Sequence, residues 1–507
     1  MRDSPDDAPV THRASRTSAG SEGGESGATI AALATARGTA ALAVVRVSGP
    51  EAVPVVASRF SDPGLAQAAG RTVWVGWLSD ADERQIDQVV CVVWRGPHSS
   101  TGEDVVEVTC HGGDVVAGAV LRALYDAGAR PAAPGAFTQR AFLNGKLDLS
   151  QAEAVADLIH AESRLGHRAA VSALRGGVSE AVAAVRQSLV QTAALVALEL
   201  DFGEEDVAFA DRAELGDLLA TADRQLSDLI GTAHLGALAR DGVRVVLGGR
   251  PNAGKSTLLN ALVGDDRAIV SPTPGTTRDA VEAEAEIGGL RVRFVDTAGL
   301  RETADAIEAE GTRRARAAID RADVLVYVVD ASVGLDAEER AFLDDLAERQ
   351  PELALVMVEN KADLVEERPG PPADPAIAPL RTGPAVPLER SGGRLDGGTP
   401  LVLSARDALA DSVALDGLRR AILDAARATG VESAEAGLVA VNERHRAHLD
   451  AARAAVGRAQ RSLEAGDGGD TLALDLRDAL HHLGLVTGAV TTEHVLNAVF
   501  SQFCIGK

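Results

Sequence analysis

Hydrophobic and polar positions change rhythm three times along the chain. From about Ala28 to Asn144, short apolar runs at Leu42–Val47, Val89–Trp94 and Val105–Thr109 are separated by Gly-rich punctuation, and Val115–Ala127 carries a helical period. That mixture predicts a small α+β domain. From Leu149 to Ala239 the pattern turns to long Ala/Leu/Val stretches with few breakers, typified by Gln151–His160 and Ala181–Leu200, which predict helices. Strand-type sequence returns at Val243–Leu247 and alternates with helical sequence to about Ala428, the βαβ pattern of a parallel sheet. Val441 to Phe500 is helical again, and the Pro/Gly-rich stretch Leu364–Pro400 predicts a flexible surface insert. Two helical blocks flanking one α/β segment predict a multidomain chain. Its parts are an α+β N-terminal domain, a discontinuous all-α helical domain and an α/β domain inserted into it. The expected boundaries are 1–27 for a tail, 28–146, 147–240, 241–428 and 429–507.

Length and composition agree with this division. A chain of 507 residues with 46% apolar content has room for roughly three cores. Fifty Lys+Arg against 74 Asp+Glu leave a net charge of −24, which argues against broad nucleic-acid binding but permits a local basic patch. Cys91, Cys110 and Cys504 are too scattered for a disulfide framework, which suits a reducing cytoplasm. The Ser/Asp/Glu/Gly-rich first 27 residues lack the apolar stretch of a signal peptide and predict a disordered tail. No apolar run is expected to span a membrane. Only four basic residues are lysine: Lys146, Lys255, Lys361 and Lys507. In a chain that otherwise uses arginine, each marks a place where a compact ammonium is wanted.

Two of those lysines fall in nucleotide-binding motifs. Gly249-Arg-Pro-Asn252-Ala253-Gly254-Lys255-Ser256 follows an apolar strand and precedes the helical stretch Thr257–Leu262. This is the P-loop context: backbone N–H groups surround phosphate oxygens, Lys255 reaches the β/γ-phosphates and the Ser256 hydroxyl ligates Mg²⁺. Asn360-Lys361-Ala362-Asp363 follows the strand Ala354–Val358 and selects guanine, because an ionised Asp accepts from the N1–H and amino donors that adenine lacks as a pair. Ser404-Ala405-Arg406 resembles the accessory guanine loop. Asp296-Thr297-Ala298-Gly299 suits the Mg²⁺ shell and γ-phosphate sensing. Gly275-Thr276-Thr277 lies where a switch loop supplies a Thr, here Thr277, to Mg²⁺. Five motifs in the right order and spacing along the chain identify a GTP-binding P-loop G domain at 241–428. Leu300 stands where a Ras-like GTPase has its water-orienting Gln. Another group must therefore organise the attacking water.

Further motifs carry a resemblance. Thr101-Gly-Glu-Asp-Val-Val-Glu107, His111-Gly-Gly, Pro134-Gly-Ala-Phe-Thr-Gln-Arg-Ala-Phe-Leu-Asn-Gly-Lys146-Leu-Asp-Leu and the terminal Phe503-Cys504-Ile-Gly-Lys507 resemble the MnmE (TrmE) family of tRNA-modification GTPases over essentially everything after residue 27. The resemblance implies a homodimeric, K⁺-activated GTPase. Asn252 and the segment Ser271, Pro272, Thr273, Pro274, Gly275, Thr276 would surround the nucleotide and K⁺, with Asn252, Ser271, Thr273 and Thr276 as K⁺ ligands. Glu308 would position water and act as a catalytic residue beside Lys255. It also implies a folate-binding 28–146 domain that takes 5-formyl- or 5,10-methylene-tetrahydrofolate, in the (6S) form, through Arg46, Glu107, Lys146 and Lys507. A heterotetramer with the flavoprotein MnmG would modify C5 of the wobble uridine of certain tRNAs in the cytoplasm, away from any membrane. Thr35-Ala-Arg37-Gly38 replaces the Pro- and Gly-richer loop usual in the family. An Era-like ribosome-assembly GTPase without modification chemistry shares the G motifs and remains the alternative. Cys504 reads as a half-buried helix-end thiol or as a thiol near the modification chemistry, and His111 as a strand-end structural residue.

Overall fold

The computed structural model describes residues 27–201, 212–264, 282–296, 316–351, 353–365, 401–409, 412–428 and 439–506. The predicted tail, the 364–400 insert beyond residue 365, and the predicted switch residues lie outside them. The chain forms two compact units, Met1–Leu147 with His494–Lys507, and Asp148–Glu493. The last residues, expected to close the helical domain, therefore group with the N-terminal sheet.

The first unit is built on a six-stranded sheet of β1 (Ile30–Leu33), β2 (Leu42–Ser48), β3 (Thr72–Ser79), β4 (Gln85–Trp94), β5 (Val105–His111) and β6 (Arg130–Pro131), in the order β3-β4-β5-β2-β1-β6. Alternation decides which face is buried. Val45, Val47, Val106 and Val108 face a core shared with the helices Ala52–Ala57 and Asp114–Asp126. Arg46 and Glu107, one step out of phase, stand on the opposite face. The chain end reaches this unit through apolar packing: the rings of Phe142, Phe500 and Phe503 form a chain of contacts 5.5–6.4 Å apart. Gly506 packs against Leu33 and Ala34.

In the second unit, the helices Gly177–Asp201, Arg212–Asp241, Glu443–Ala465 and Gly469–Thr487 share one core. The helical blocks on either side of the inserted segment thus form a single bundle. Gly177–Leu198 is long and apolar enough to cross a membrane, contrary to the sequence expectation. Its Val178, Val182, Val185, Leu189 and Val196 are buried in the bundle, while Val190 and Leu198 on its other face are exposed. Capping boxes start the helices Leu149–Ile159 (Asp148 with Gln151) and Glu443–Ala465 (Asn442 with His445), satisfying first-turn N–H groups.

The second sheet, β7 (Val243–Gly248), β8 (Glu282–Ile287), β9 (Leu290–Asp296), β10 (Val324–Asp330), β11 (Ala354–Asn360) and β12 (Leu401–Val402), runs in the order β12-β11-β10-β7-β9-β8. All neighbours are parallel except the β8–β9 hairpin. Apolar residues of β7, β9 and β10 feed cores on both faces, which explains the near-continuous apolar runs of β7 and β10. Strand order reverses at β7, so its carboxyl end opens a crevice of the kind that receives ligands in such sheets.

A buried charge cluster joins the two helical blocks. Glu153, on the helix Leu149–Ile159, accepts from Arg444 Nε at 2.6 Å, Arg444 Nη2 at 2.8 Å and Asn442 Nδ2 at 3.0 Å, and lies 2.7 Å from His445 Nε2. Arg444 also donates to the carbonyls of Leu485 and Val486 at the end of a third helix. Burial alone would push the Glu153 carboxyl up, but Arg444 and His445 outweigh it and hold the group at about 2 instead of 4.5. Its contribution is full above the unfolded value and is lost as pH falls through the folded one. Glu153→Gln is expected to cost about 3 kcal/mol near neutral pH. In urea unfolding followed by circular dichroism, the gap from wild type should narrow as pH drops from 4.5 towards 2; a gap independent of pH would contradict the ionic role.

Candidate functional site

The carboxyl ends of the central strands bring the nucleotide motifs together. Gly248 pairs with Tyr327, Leu247 with Asp296, and Asp330 with Asn360, so these chain segments end along one edge of the sheet. The P-loop leaves β7 through Gly249 (φ 126°) and enters the helix Lys255–Val263 through Gly254 (φ 95°). A Cβ at Gly249 would stand 2.1 Å from Val328 O, and one at Gly254 2.1 Å from Asn360 Nδ2, so only glycine fits either position. Between them Asn252 is exposed and adopts φ 65°, a conformation that Asn tolerates better than most residues. Lys255 is only 5% exposed, and its Nζ donates to the carbonyls of Gly249 (2.9 Å) and Arg250 (2.7 Å). The ammonium is thus held over the loop, at a helix N-terminus whose dipole favours phosphate. Ser256 is exposed and Thr257 half-buried in the first turn.

Asn360 ties three loops into one site. Its Nδ2 donates to Ala253 O at 2.8 Å, and its Oδ1 accepts from Ala405 N at 2.8 Å. The residue is 2% exposed. One buried amide therefore holds the P-loop and the Ser404-Ala405-Arg406 loop in register. The Ala405 N–H, a candidate donor to guanine, is engaged by this bond. Ser404 Oγ caps the short helix Ala405–Ala408 by accepting from Asp407 N at 3.2 Å. Lys361 adopts φ 65° and donates to Asp330 Oδ2 at 2.6 Å. Lys361 and Ser332 hold the Asp330 carboxyl below its usual range. Ala362 is half-buried, and Asp363 is exposed on the turn Ala362–Leu364, where its carboxylate can accept from a base.

Two anchors escaped the sequence reading. Asp330 ends a valine-rich strand and looks like ordinary strand punctuation. Arg250, inside the P-loop, pairs with Asp336 and lies 3.5 Å from Glu339 at the start of the helix Ala337–Arg349. Tyr327 OH donates to Glu339 at 3.1 Å, and burial together with Glu339 pushes the phenol pKa up. Asp296 ends β9 at the expected edge. Ser271, Pro272, Thr273, Pro274, Gly275, Thr276, Thr277, Thr297, Ala298, Gly299, Leu300 and Glu308 lie outside the described residues.

On the first unit, Arg46 and Glu107 are directly opposed across β2 and β5. Arg46 donates to Glu107 Oε1 from Nε (3.0 Å) and Nη2 (2.8 Å), and its guanidinium lies 5.8 Å from the Phe137 ring centre. Both bonds fall on one oxygen. Among the described residues Oε2 has no donor, so it can accept from a ligand's amide or amino group. Lys146 is exposed and donates to Pro97 O at 3.0 Å, and Lys507 lies outside the described residues. The motifs around them are cross-tied by a residue the sequence did not single out. Arg140 donates to Glu103 (2.7 Å), Ser48 O (3.0 Å) and Ala28 O (2.6 Å). His111 Nδ1 sits 2.8 Å from Asp87 Oδ1; burial raises the Asp87 carboxyl, but the hydrogen bonds from His111 win and lower it. Burial pushes the Cys91 thiol up to about 12. Cys504 is exposed rather than half-buried.

Asn360→Ala would leave the Ala253 carbonyl and the Ala405 N–H without their bonds. The expected result is about 1–3 kcal/mol of lost stability and GTP affinity weakened at least about tenfold. Titration with a fluorescent GTP analogue and a thermal melt check both; unchanged affinity would show that the amide does not organise the site.

Two family models match the chain: "GTP-binding protein TrmE N-terminus" over residues 29–146 and "MnmE helical domain" over residues 149–504. The tRNA modification GTPase MnmE of Salinibacter ruber is 52% identical over 479 residues, covering 94% of this chain and 99% of its own length. That of Christiangramia forsetii is 39% identical and covers the same shares, 94% and 99%. A solved structure of Era in complex with MgGDPNP and a piece of 16S ribosomal RNA is 30% identical over 25% of this chain and 42% of its own, with a TM-score of 0.20, too low to bear on the fold. On the two family models and on identity sustained over nearly the whole chain, the protein belongs to the MnmE (TrmE) family of tRNA modification GTPases.

Proposed function

We propose that this chain is a K⁺-activated GTPase that works with the flavoprotein MnmG to build an aminomethyl-type substituent at C5 of the wobble uridine of certain tRNAs. The observation that supports the reading is that, in one chain of this family, the Asn360 amide joins the P-loop to the Ser404-Ala405-Arg406 loop, and a separate Arg46–Glu107 pair leaves one carboxylate oxygen open. Domain 28–146 holds the one-carbon donor, 241–428 is the G domain, and 147–240 with 429–507 supply the helical scaffold.

In the G domain, Asp363 accepts from guanine, the P-loop from Asn252 to Thr257 wraps the phosphates, and Lys255 turns to the β/γ-phosphates. Ser256, Thr277 and Asp296 offer the hard oxygen ligands that suit Mg²⁺. The exposed Asn252, with Ser271, Thr273 and Thr276, holds K⁺, which supplies the positive charge that an arginine finger gives elsewhere. Glu308 orients the attacking water, the task left open by Leu300. In the N-terminal domain, tetrahydrofolate supplies a one-carbon unit when bound. Arg46 would hold Glu107 in place so that its second oxygen could accept from the pterin ring, while Lys146 and Lys507 would face the anionic glutamate tail. Gly506 beside Leu33, one residue beyond the Ala32 that pairs with Arg46, supports the approach of Lys507. The protein acts in the cytoplasm as a homodimer within a heterotetramer with MnmG. The exposed apolar row Val73, Val75 and Trp77 on edge strand β3 supports self-association.

The full chain should hydrolyse GTP faster in K⁺ than in Na⁺ at equal ionic strength, and Glu308→Ala should retain GTP binding while losing at least about tenfold in kcat. Equal rates in the two salts would exclude the cation's role. In a titration with 5-formyl-tetrahydrofolate, Glu107→Gln should weaken binding about tenfold with GTP turnover intact. An Era-type switch predicts no folate binding even in wild type, so the same titration separates the two functions.

A further inference from the structure

Carboxylates usually receive an arginine across both oxygens, one N–H to each. Arg46 departs from that geometry, because its Nε and Nη2 both donate to Oε1 of Glu107. Something must hold the guanidinium end-on, and the structure shows a wall beside it. The Phe137 ring stands 5.8 Å from the Arg46 guanidinium. Phe137 is buried with Ile30, Ala32 and Ala132, and Ala32 is the register partner of Arg46 on β1, as Glu107 is on β5. The ring rides on the helix Ala136–Leu143. Apolar contacts alone would let so short a helix roll or slide. Directional bonds prevent this, and they converge on Arg140, one turn after Phe137 on the same helix face.

Arg140 is only 11% exposed. Its Nη1 donates to Glu103 Oε2 at 2.7 Å and to Ser48 O at 3.0 Å, and its Nη2 to Ala28 O at 2.6 Å. Ser48, fully buried at the end of β2, donates to the same Glu103 oxygen at 2.9 Å and lies 2.8 Å from Thr101 Oγ1. Asn144, at the end of the helix, donates to Thr101 O at 2.8 Å. The strand that carries Arg46, the stretch 101–107 that ends in Glu107 and the helix that carries Phe137 are thus tied in one knot. We propose that Arg140 and Glu103 are positioning residues of the one-carbon site: they fix the helix so that Phe137 keeps Arg46 end-on and the second oxygen of Glu107 stays open to a ligand's N–H donors. This inference rests on the reading of the Arg46–Glu107 pair as that site. With the knot loosened, the wall moves, Arg46 swings across both oxygens and the acceptor closes.

The test titrates the full chain with 5-formyl-tetrahydrofolate by calorimetry, with a thermal melt to show that each variant is folded. Glu103→Gln removes the anchoring charge. Arg140→Lys keeps the charge but loses the fork that reaches Ser48 and Ala28. Each should weaken binding about tenfold. Phe137→Leu spares every polar bond of the knot and opens the wall, so it reports on the same step if the other variants do not fold; it should weaken binding at least about threefold. In a Glu107→Gln background, where the carboxylate is gone, each of the three changes should add less than about threefold, because they act through that group. Losses of equal size in both backgrounds would overturn the proposal and leave the knot a purely structural role. Unchanged affinity in the wild-type background would overturn it too. Absence of binding by the wild type would remove the reading of Arg46–Glu107 as a one-carbon site, which distinguishes the two failures. GTP turnover should be the same in all these proteins.

Discussion

The geometry of the nucleotide site depends on one buried side-chain amide. Asn360 donates to the P-loop carbonyl of Ala253 and accepts from the backbone N–H of Ala405. The proposed phosphate and base loops are more than a hundred residues apart in the chain, and neither can shift without breaking a buried hydrogen bond to Asn360. Buried amide bonds of this kind matter less for their net stabilisation than for the cost of leaving the partners unpaired. Around that amide the other anchors fall into place: Lys361 on Asp330, Arg250 on Asp336 and Glu339, and the two glycines that let the loop approach Val328 and Asn360. The P-loop is thereby held in shape by side chains from other segments at the sheet edge, those of Asn360, Asp336 and Glu339.

The same logic recurs in the helical bundle at larger scale. Glu153 comes from the first helical block, Asn442, Arg444 and His445 from the second, and the G domain lies between them in sequence. A salt bridge this buried gains its value from completeness, since each partner is further hydrogen-bonded and any single deletion strands a charge. The cluster therefore specifies how the two ends of the interrupted bundle meet, a task that the surrounding alanines and leucines, interchangeable in shape, perform less selectively.

Much of this was legible in the sequence where chemistry is local. The P-loop strand and helix, the Asn360-Lys361-Ala362-Asp363 turn and the long helices lie within a few residues of their predicted places, because glycine, capping and period signals act over a few positions. What escaped depends on distant partners. Asp330 is meaningful only because β10 lies beside β11. The Arg46–Glu107 pair requires the register of two strands 61 residues apart. Strands β1 and β3 were missed because one is short and the other breaks its alternation with Gly76 and two tryptophans. The helix Glu493–Phe500 reads as one more bundle helix, yet Phe500 and Phe503 pack in the first unit, against Phe142 and beside Gly135.

The proposed pairing of a guanine site with a one-carbon site in one chain would make sense if the GTP cycle serves the modification of tRNA. The most direct measurement is mass spectrometry of wobble nucleosides in tRNA from cells lacking this protein. The C5-substituted uridine should disappear, and should return with the wild-type chain but not with Asp363→Asn. Wobble nucleosides unchanged by the loss of the protein would contradict a role in tRNA modification.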